Sequence, residues 1–149
     1  MLCRWLVLTA VPLLAGCGSS LDRLPTDLRS ALESPDSMEV FKIEPEMNPG
    51  YRGEAIRHYP VKRKVDVPAE RRGEVTAWLR DEILSEQGNS AKCFNPQDAV
   101  RVKKGPDTYI VLVCTTCGGV ALFRNEKRIG SLQTRRGAKS PESTLDFLR

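Results

Sequence analysis

The run Tyr109-Ile110-Val111-Leu112-Val113 constrains the fold of this 149-residue chain more than any other stretch. It is apolar at every position and rich in β-branched side chains. Gly105-Pro106-Asp107 precedes it and Gly118-Gly119 follows it. Its five residues leave no polar position to mark a solvent face. They suit a strand covered on both faces, which must sit in the middle of a sheet. Its neighbours can be read on either side. Ala99 to Lys103 reads as a short strand before the first turn, and Val120 to Arg124 as a return strand after the second.

Further upstream, Met38 to Ile43 alternates imperfectly and reads as a strand that Pro45 stops. Tyr59 to Val67 reads as another. Period-two counting puts Val61, Val65 and Val67 on one face, with Lys62, Lys64 and Asp66 on the other. Pro68 then opens the clearest helix, Ala69 to Glu86. Val75, Trp78, Leu79 and Ile83 form one apolar stripe at spacings of three, four and eight. Proline suits a helix start and Gly88-Asn89 suits its end, while Gly73 inside costs about 1 kcal/mol against alanine. Trp78 is expected to anchor this helix on the sheet. Nearer the N-terminus, Thr26 or Asp27 can cap a short helix carrying Leu28, Ala31 and Leu32 on one side. Leu145, Phe147 and Leu148 fit a helical turn in the tail. The expected fold class is therefore α+β: a small, mostly antiparallel sheet packed with one main helix.

The first 17 residues carry a different kind of signal. Arg4 precedes an apolar run from Trp5 to Leu14, and Leu14-Ala15-Gly16-Cys17 closes it. A basic start, a short apolar core and small residues read as a cleaved export signal. The run falls short of the roughly 20 residues that cross a bilayer as a helix. Leu14-Ala15-Gly16-Cys17 resembles the lipobox of bacterial lipoproteins. The resemblance implies cleavage before Cys17, a diacylglyceryl group on its sulfur and an acyl chain such as palmitate on its new amino group. No aspartate follows Cys17, and in Gram-negative lipoproteins that pattern implies the outer membrane, facing the periplasm. The expected layout is a signal peptide over 1–16, an anchor and tether with a short helix over 17–36, and one α+β domain over 37–149. After cleavage the chain is still long enough for one real core.

Composition trims the functions open to this domain. Net charge is only +4, too mild to argue for nucleic acid, and export argues further against that partner. Aromatic residues make up 6 % of the chain, which is thin for a sugar- or base-stacking surface. His58 is the sole histidine, so histidine chemistry is tightly limited; beside Arg57 and Tyr59 it reads as a surface residue. Lys62-Arg63-Lys64 with Arg71-Arg72, and Arg135-Arg136 near the C-terminus, read as solvated faces or as a surface for anionic lipid.

Cysteine carries what chemistry there is. Cys3 leaves with the signal and Cys17 takes the lipid, so Cys93, Cys114 and Cys117 remain. Three readings are open. A structural disulfide from Cys93 to Cys114 or Cys117 suits an oxidising compartment and would contribute about 3 kcal/mol in the chain-entropy model. A metal site is the second: Cys114-Thr115-Thr116-Cys117-Gly118-Gly119 resembles the knuckles of zinc ribbons and rubredoxins. Cys93 would be the third ligand and Asp98 or His58 the fourth, with zinc as the ion. A thiol–disulfide oxidoreductase is the third. The strand-like Val120 to Phe123 argues against the helix that lowers thiol pKa in thioredoxin-like proteins.

The stretch Cys93-Phe94-Asn95-Pro96-Gln97-Asp98-Ala99-Val100-Arg101, followed by Ile110 to Cys117, resembles a group of small uncharacterised bacterial proteins. In them a cysteine–aromatic–x–proline segment precedes a strand ending in C-x-x-C. Met38 to Pro45 resembles their first strand. Gln97-Asp98 stands where that group has a basic residue and a histidine, so a metal ligand there would have to be the Asp98 carboxylate. The combined expectation is a membrane-anchored domain with a structural or binding role. It is not expected to be an enzyme, and an envelope protein is its expected partner. A zinc or thiol-redox module is the alternative.

Overall fold

The computed structural model describes residues 20–83, 94–133 and 137–148. Cys17, Cys93 and Arg135-Arg136 lie outside the described residues. Seven strands form one sheet: β1 (Ser37–Ile43), β2 (Ala55–Ile56), β3 (Tyr59–Asp66), β4 (Asp98–Lys104), β5 (Asp107–Cys114), β6 (Gly119–Arg124) and β7 (Lys127–Gln133). Their order is β2-β3-β1-β4-β5-β6-β7. Every pairing is antiparallel. β5 lies inside the sheet, as its unbroken apolar run requires, with Tyr109 to Cys114 all buried. The fold is α+β.

The expected main helix begins as a 3-10 turn at Ala69–Arg71, continues as α2 (Arg72–Trp78) and widens into a π turn at Leu79–Ile83. Its stripe is buried as the spacing demands: Val75, Trp78, Leu79 and Ile83 all face the core. The Trp78 indole N–H donates to Lys139 O at 3.0 Å, so its polar edge is satisfied. Helix α1 (Thr26–Glu33) buries Leu28, Ala31 and Leu32 against the same core. It has no side-chain cap. Thr26 is already helical, and Asp27 reaches Arg124 at 2.7 Å instead. Leu21 and Leu24, in and beside the 3-10 turn Ser20–Arg23, join this core too. In the tail, α3 (Pro141–Thr144) and a 3-10 turn at Asp146–Leu148 bury Leu145 and Leu148.

The sheet has two apolar faces. One packs Met38, Val40, Val100, Val102, Val111, Val113 and Leu122 against the helices. The other gathers Phe41, Ile43, Ile56, Tyr59, Ala99, Ile110, Leu112, Ala121 and Phe123. Curling of the sheet buries this second set. In a flat sheet β3 and β6 would stand about 19 Å apart at roughly 4.8 Å per strand step. Yet the Arg57 guanidinium, on the turn before β3, lies 4.7 Å from the centre of the Phe123 ring on β6. Arg57 also pairs with Glu126 on the β6–β7 turn. The sheet rolls until its ends approach, and the second core fills the roll.

One bulge corrects the face assignment on β3. Pairing steps from Lys42↔Arg63 to Ile43↔Val61, so Lys62 is an extra residue and the alternation flips there. Val65 and Val67 pack on the helix side, whereas Val61 packs inside the roll. β7 follows a turn in which Asn125 and Glu126 take φ of 45° and 68°. Such angles suit a two-residue hairpin turn. Among the described residues no helix is long and apolar enough to cross a membrane.

Candidate functional site

β5 runs out at Cys114, four residues turn, and β6 begins at Gly119, the residue that pairs with Cys114. Gly118 takes φ of +71°, a conformation that favours glycine, and its N–H donates to Cys114 O at 3.0 Å. This tight turn brings the Cys114 and Cys117 Cα atoms to 5.4 Å and their sulfurs to 2.05 Å, a disulfide. The expected long-range pairing of Cys93 with one of them is therefore corrected: Cys114 and Cys117 pair with each other. The physical reason is local. The two-residue spacer and the Gly118 turn already hold the Cα atoms within the roughly 4.4–6.8 Å that a disulfide spans, so no long loop has to close.

The preceding segment holds the turn in place. The Gln97 N–H donates to Val113 O at 3.1 Å, which fixes Gln97 beside the strand end. Its side-chain Nε2 donates to Thr116 Oγ1 at 3.0 Å, and Thr116 Oγ1 lies 3.5 Å from Cys114 Sγ. The Cys117 N–H donates to the same sulfur at 3.1 Å. Gly137 N–H donates to Thr115 O at 2.8 Å from the far side. A Cβ built on Gly119 would stand 3.0 Å from Phe94 Cδ2 and 3.7 Å from Cys117 Sγ. Glycine thus lets the Phe94 ring lie against the turn.

Asp98 is one residue from Gln97 but belongs to another place. It pairs with Val113 across the β4–β5 ladder, and cross-strand partners share a face. Val113 packs on the helix side, so the next residue, Cys114, lies on the opposite face. Asp98 is buried, with Oδ1 held by Lys42 Nζ at 3.0 Å and Oδ2 without a hydrogen-bond partner among the described residues. A cavity of about 10 Å³, room for one water, opens beside it between Lys42, Arg63, Glu142 and Leu148. Burial pushes the Asp98 carboxyl up; Lys42 pulls it down and Glu142 pushes it up again.

His58 is exposed at the β2–β3 turn, with φ of +72°, and its carbonyl accepts the Asn48 N–H at 2.8 Å. The structure therefore does not bring Asp98 or His58 to the cysteine turn as ligands. With both sulfurs bonded to one another, neither is a thiolate. Among the described residues no three His, Cys, Asp or Glu side chains are placed to hold a metal. No helix follows the C-x-x-C turn, so the thioredoxin-like arrangement is not the one here.

The basic residues Lys62, Arg63, Lys64 and Arg71 are answered by neighbouring acids. Lys62 pairs with Glu44 at 3.0 Å, Arg63 with Glu142 at 3.6 Å, and Lys64 with Glu54 at 3.5 Å and Glu39 at 3.7 Å. Arg71 pairs with Glu74 and with Asp146, while Arg72 donates to Pro35 O at 2.8 Å. The half-buried Glu39 takes a two-pronged contact from Arg101, with Nη2 to Oε1 at 2.8 Å. That hydrogen bonding holds its carboxyl below the usual range, against the opposing pull of burial. Sequence reasoning missed Gln97 and Thr116 as parts of the site. The signal was their place: one just before a strand, the other inside the C-x-x-C.

Set against family models, curated proteins and solved structures, this chain matches none of them.

Proposed function

We infer that this chain is an envelope lipoprotein, anchored through lipid on Cys17 in the outer membrane and facing the periplasm. Its domain serves a structural or binding role for another envelope protein. The observation that carries the reading is an internal disulfide, Cys114–Cys117, in a chain whose N-terminus ends in Leu14-Ala15-Gly16-Cys17. Disulfides persist in oxidising compartments, and the lipobox-like segment leads to one. Several acyl chains anchor stably, at about 0.8 kcal/mol per buried methylene.

The anchor would hold the domain close. Leu21 is already in the core, four residues beyond Cys17. Four residues span at most about 14 Å fully extended. A partner would therefore meet this domain at the membrane surface rather than far from it. Replacing Cys17 by serine tests the anchor. The native chain is expected in the detergent-extracted membrane fraction and the Cys17→Ser chain in the soluble one. A Cys17→Ser chain that still partitions wholly with membranes overturns the reading.

A further inference from the structure

The two sulfurs of the β5–β6 turn are not equivalent. Cys114 is fully buried, whereas Cys117 keeps 8 % of its surface. Among the described residues two hydrogen-bond donors converge on Cys114 Sγ: the Cys117 N–H at 3.1 Å and the Thr116 hydroxyl at 3.5 Å. A disulfide sulfur carries no hydrogen, so Thr116 is the donor in that contact. Gln97 Nε2, at 3.0 Å, occupies a lone pair of the same hydroxyl and leaves its hydrogen for the sulfur. Donors aimed at a sulfur favour its charged form, and a sulfur that leaves readily as thiolate speeds exchange.

We propose that Cys114–Cys117 is a thiol–disulfide exchange site, with Cys117 Sγ the sulfur attacked by an external thiolate and Cys114 Sγ the leaving sulfur. This goes beyond a structural role for the pair. The incoming thiolate forms a bond to Cys117 Sγ as the bond to Cys114 breaks. The electron pair goes to Cys114 Sγ, where the Cys117 amide and Thr116 hydroxyl receive it. A second thiolate then attacks the external sulfur of the mixed disulfide, and Cys117 departs as thiolate and takes a proton. In sum, two external thiols are oxidised to one disulfide and the cysteine pair gains two electrons. The turn's own amide and the Gln97–Thr116 relay do here what a helix N-terminus does in other redox sites. The substrate class is a thiol, from a small molecule or from a protein dithiol.

The test uses the full chain in detergent with Cys93 replaced by serine. Reduced glutathione stands for a small thiol and a reduced C-x-x-C peptide for a protein one. Acid-quenched samples are digested and weighed, and amide exchange gives the rate of global opening. Reduction by either probe is expected at least about 100-fold faster than global opening, with the trapped mixed disulfide on Cys117. Reaction with glutathione points to a small-molecule source, and reaction with the peptide alone to a protein. Gln97→Leu and Thr116→Val are each expected to slow reduction about tenfold without changing the opening rate. Reduction by both probes no faster than opening, or trapping on Cys114, overturns the proposal.

Discussion

Leu28 offers a direct check that the N-terminal segment is part of the folded domain. It sits on α1 and is fully buried, packed in the same cluster as Val75, Val100 and Val111. Leu28→Ala removes three carbon groups, a transfer loss of about 2.4 kcal/mol at roughly 0.8 kcal/mol each. The space left behind adds a cavity term of about 24 cal/mol per Å³, up to about 1.5 kcal/mol if nothing relaxes. A total loss of about 2.5–4 kcal/mol follows, a large share of the roughly 5–15 kcal/mol typical of a domain. Urea unfolding should show a lower midpoint with an unchanged slope, and the melting temperature should drop by about 10 °C or more. A loss under about 0.5 kcal/mol is what a surface tether would give. That result would refute the packing of α1 into the core.

Three further outcomes are expected. Gly73 is exposed on α2 and a Cβ there would meet nothing within 4 Å, so Gly73→Ala should stabilise by up to about 1 kcal/mol in the same urea assay. Glu39 is held below its ordinary pKa by Arg101, so its contribution is present above the unfolded carboxylate value and fades as pH falls through the lowered one. Glu39→Gln should therefore cost about 1–2 kcal/mol at neutral pH and little in strong acid. Asp98 runs the other way: its pKa is raised by burial, so the folded chain gains on protonation. Stability measured from pH 7.5 down to 4 should rise for the native chain relative to Asp98→Asn, and a constant difference would show that Asp98 is not desolvated.

Much of the sheet was legible from pattern alone. β5 was forced to the centre by five apolar residues in a row, and Pro68 marked the start of the helix segment carrying Trp78. What escaped the pattern depends on geometry between strands. The extra Lys62 flips the alternation on β3, and no count along one strand can reveal it. β7 was missed because it is a sheet edge: Lys127, Arg128, Ile129 and Gln133 are exposed, Gly130 interrupts the run, and a register shift sits beside it. Charged, irregular edges are how sheets avoid pairing with other chains, and they also hide the strand from hydropathy. The site was legible as a C-x-x-C, but its pairing was not, since three cysteines permit several connections. Gln97 was invisible because its role depends on lying beside the end of β5.

The proposed lipid on Cys17 and the hairpin closed by Cys114 and Cys117 can be checked in one experiment. Intact mass and a tryptic map of the chain extracted from membranes, without reductant, test both at once. The expected result is a first residue of Cys17 carrying diacylglyceryl and acyl mass, and a fragment 105–124 two hydrogens light on its own. A chain whose Cys17 carries no lipid, or a fragment 105–124 joined to 93–101 through Cys93, would contradict it.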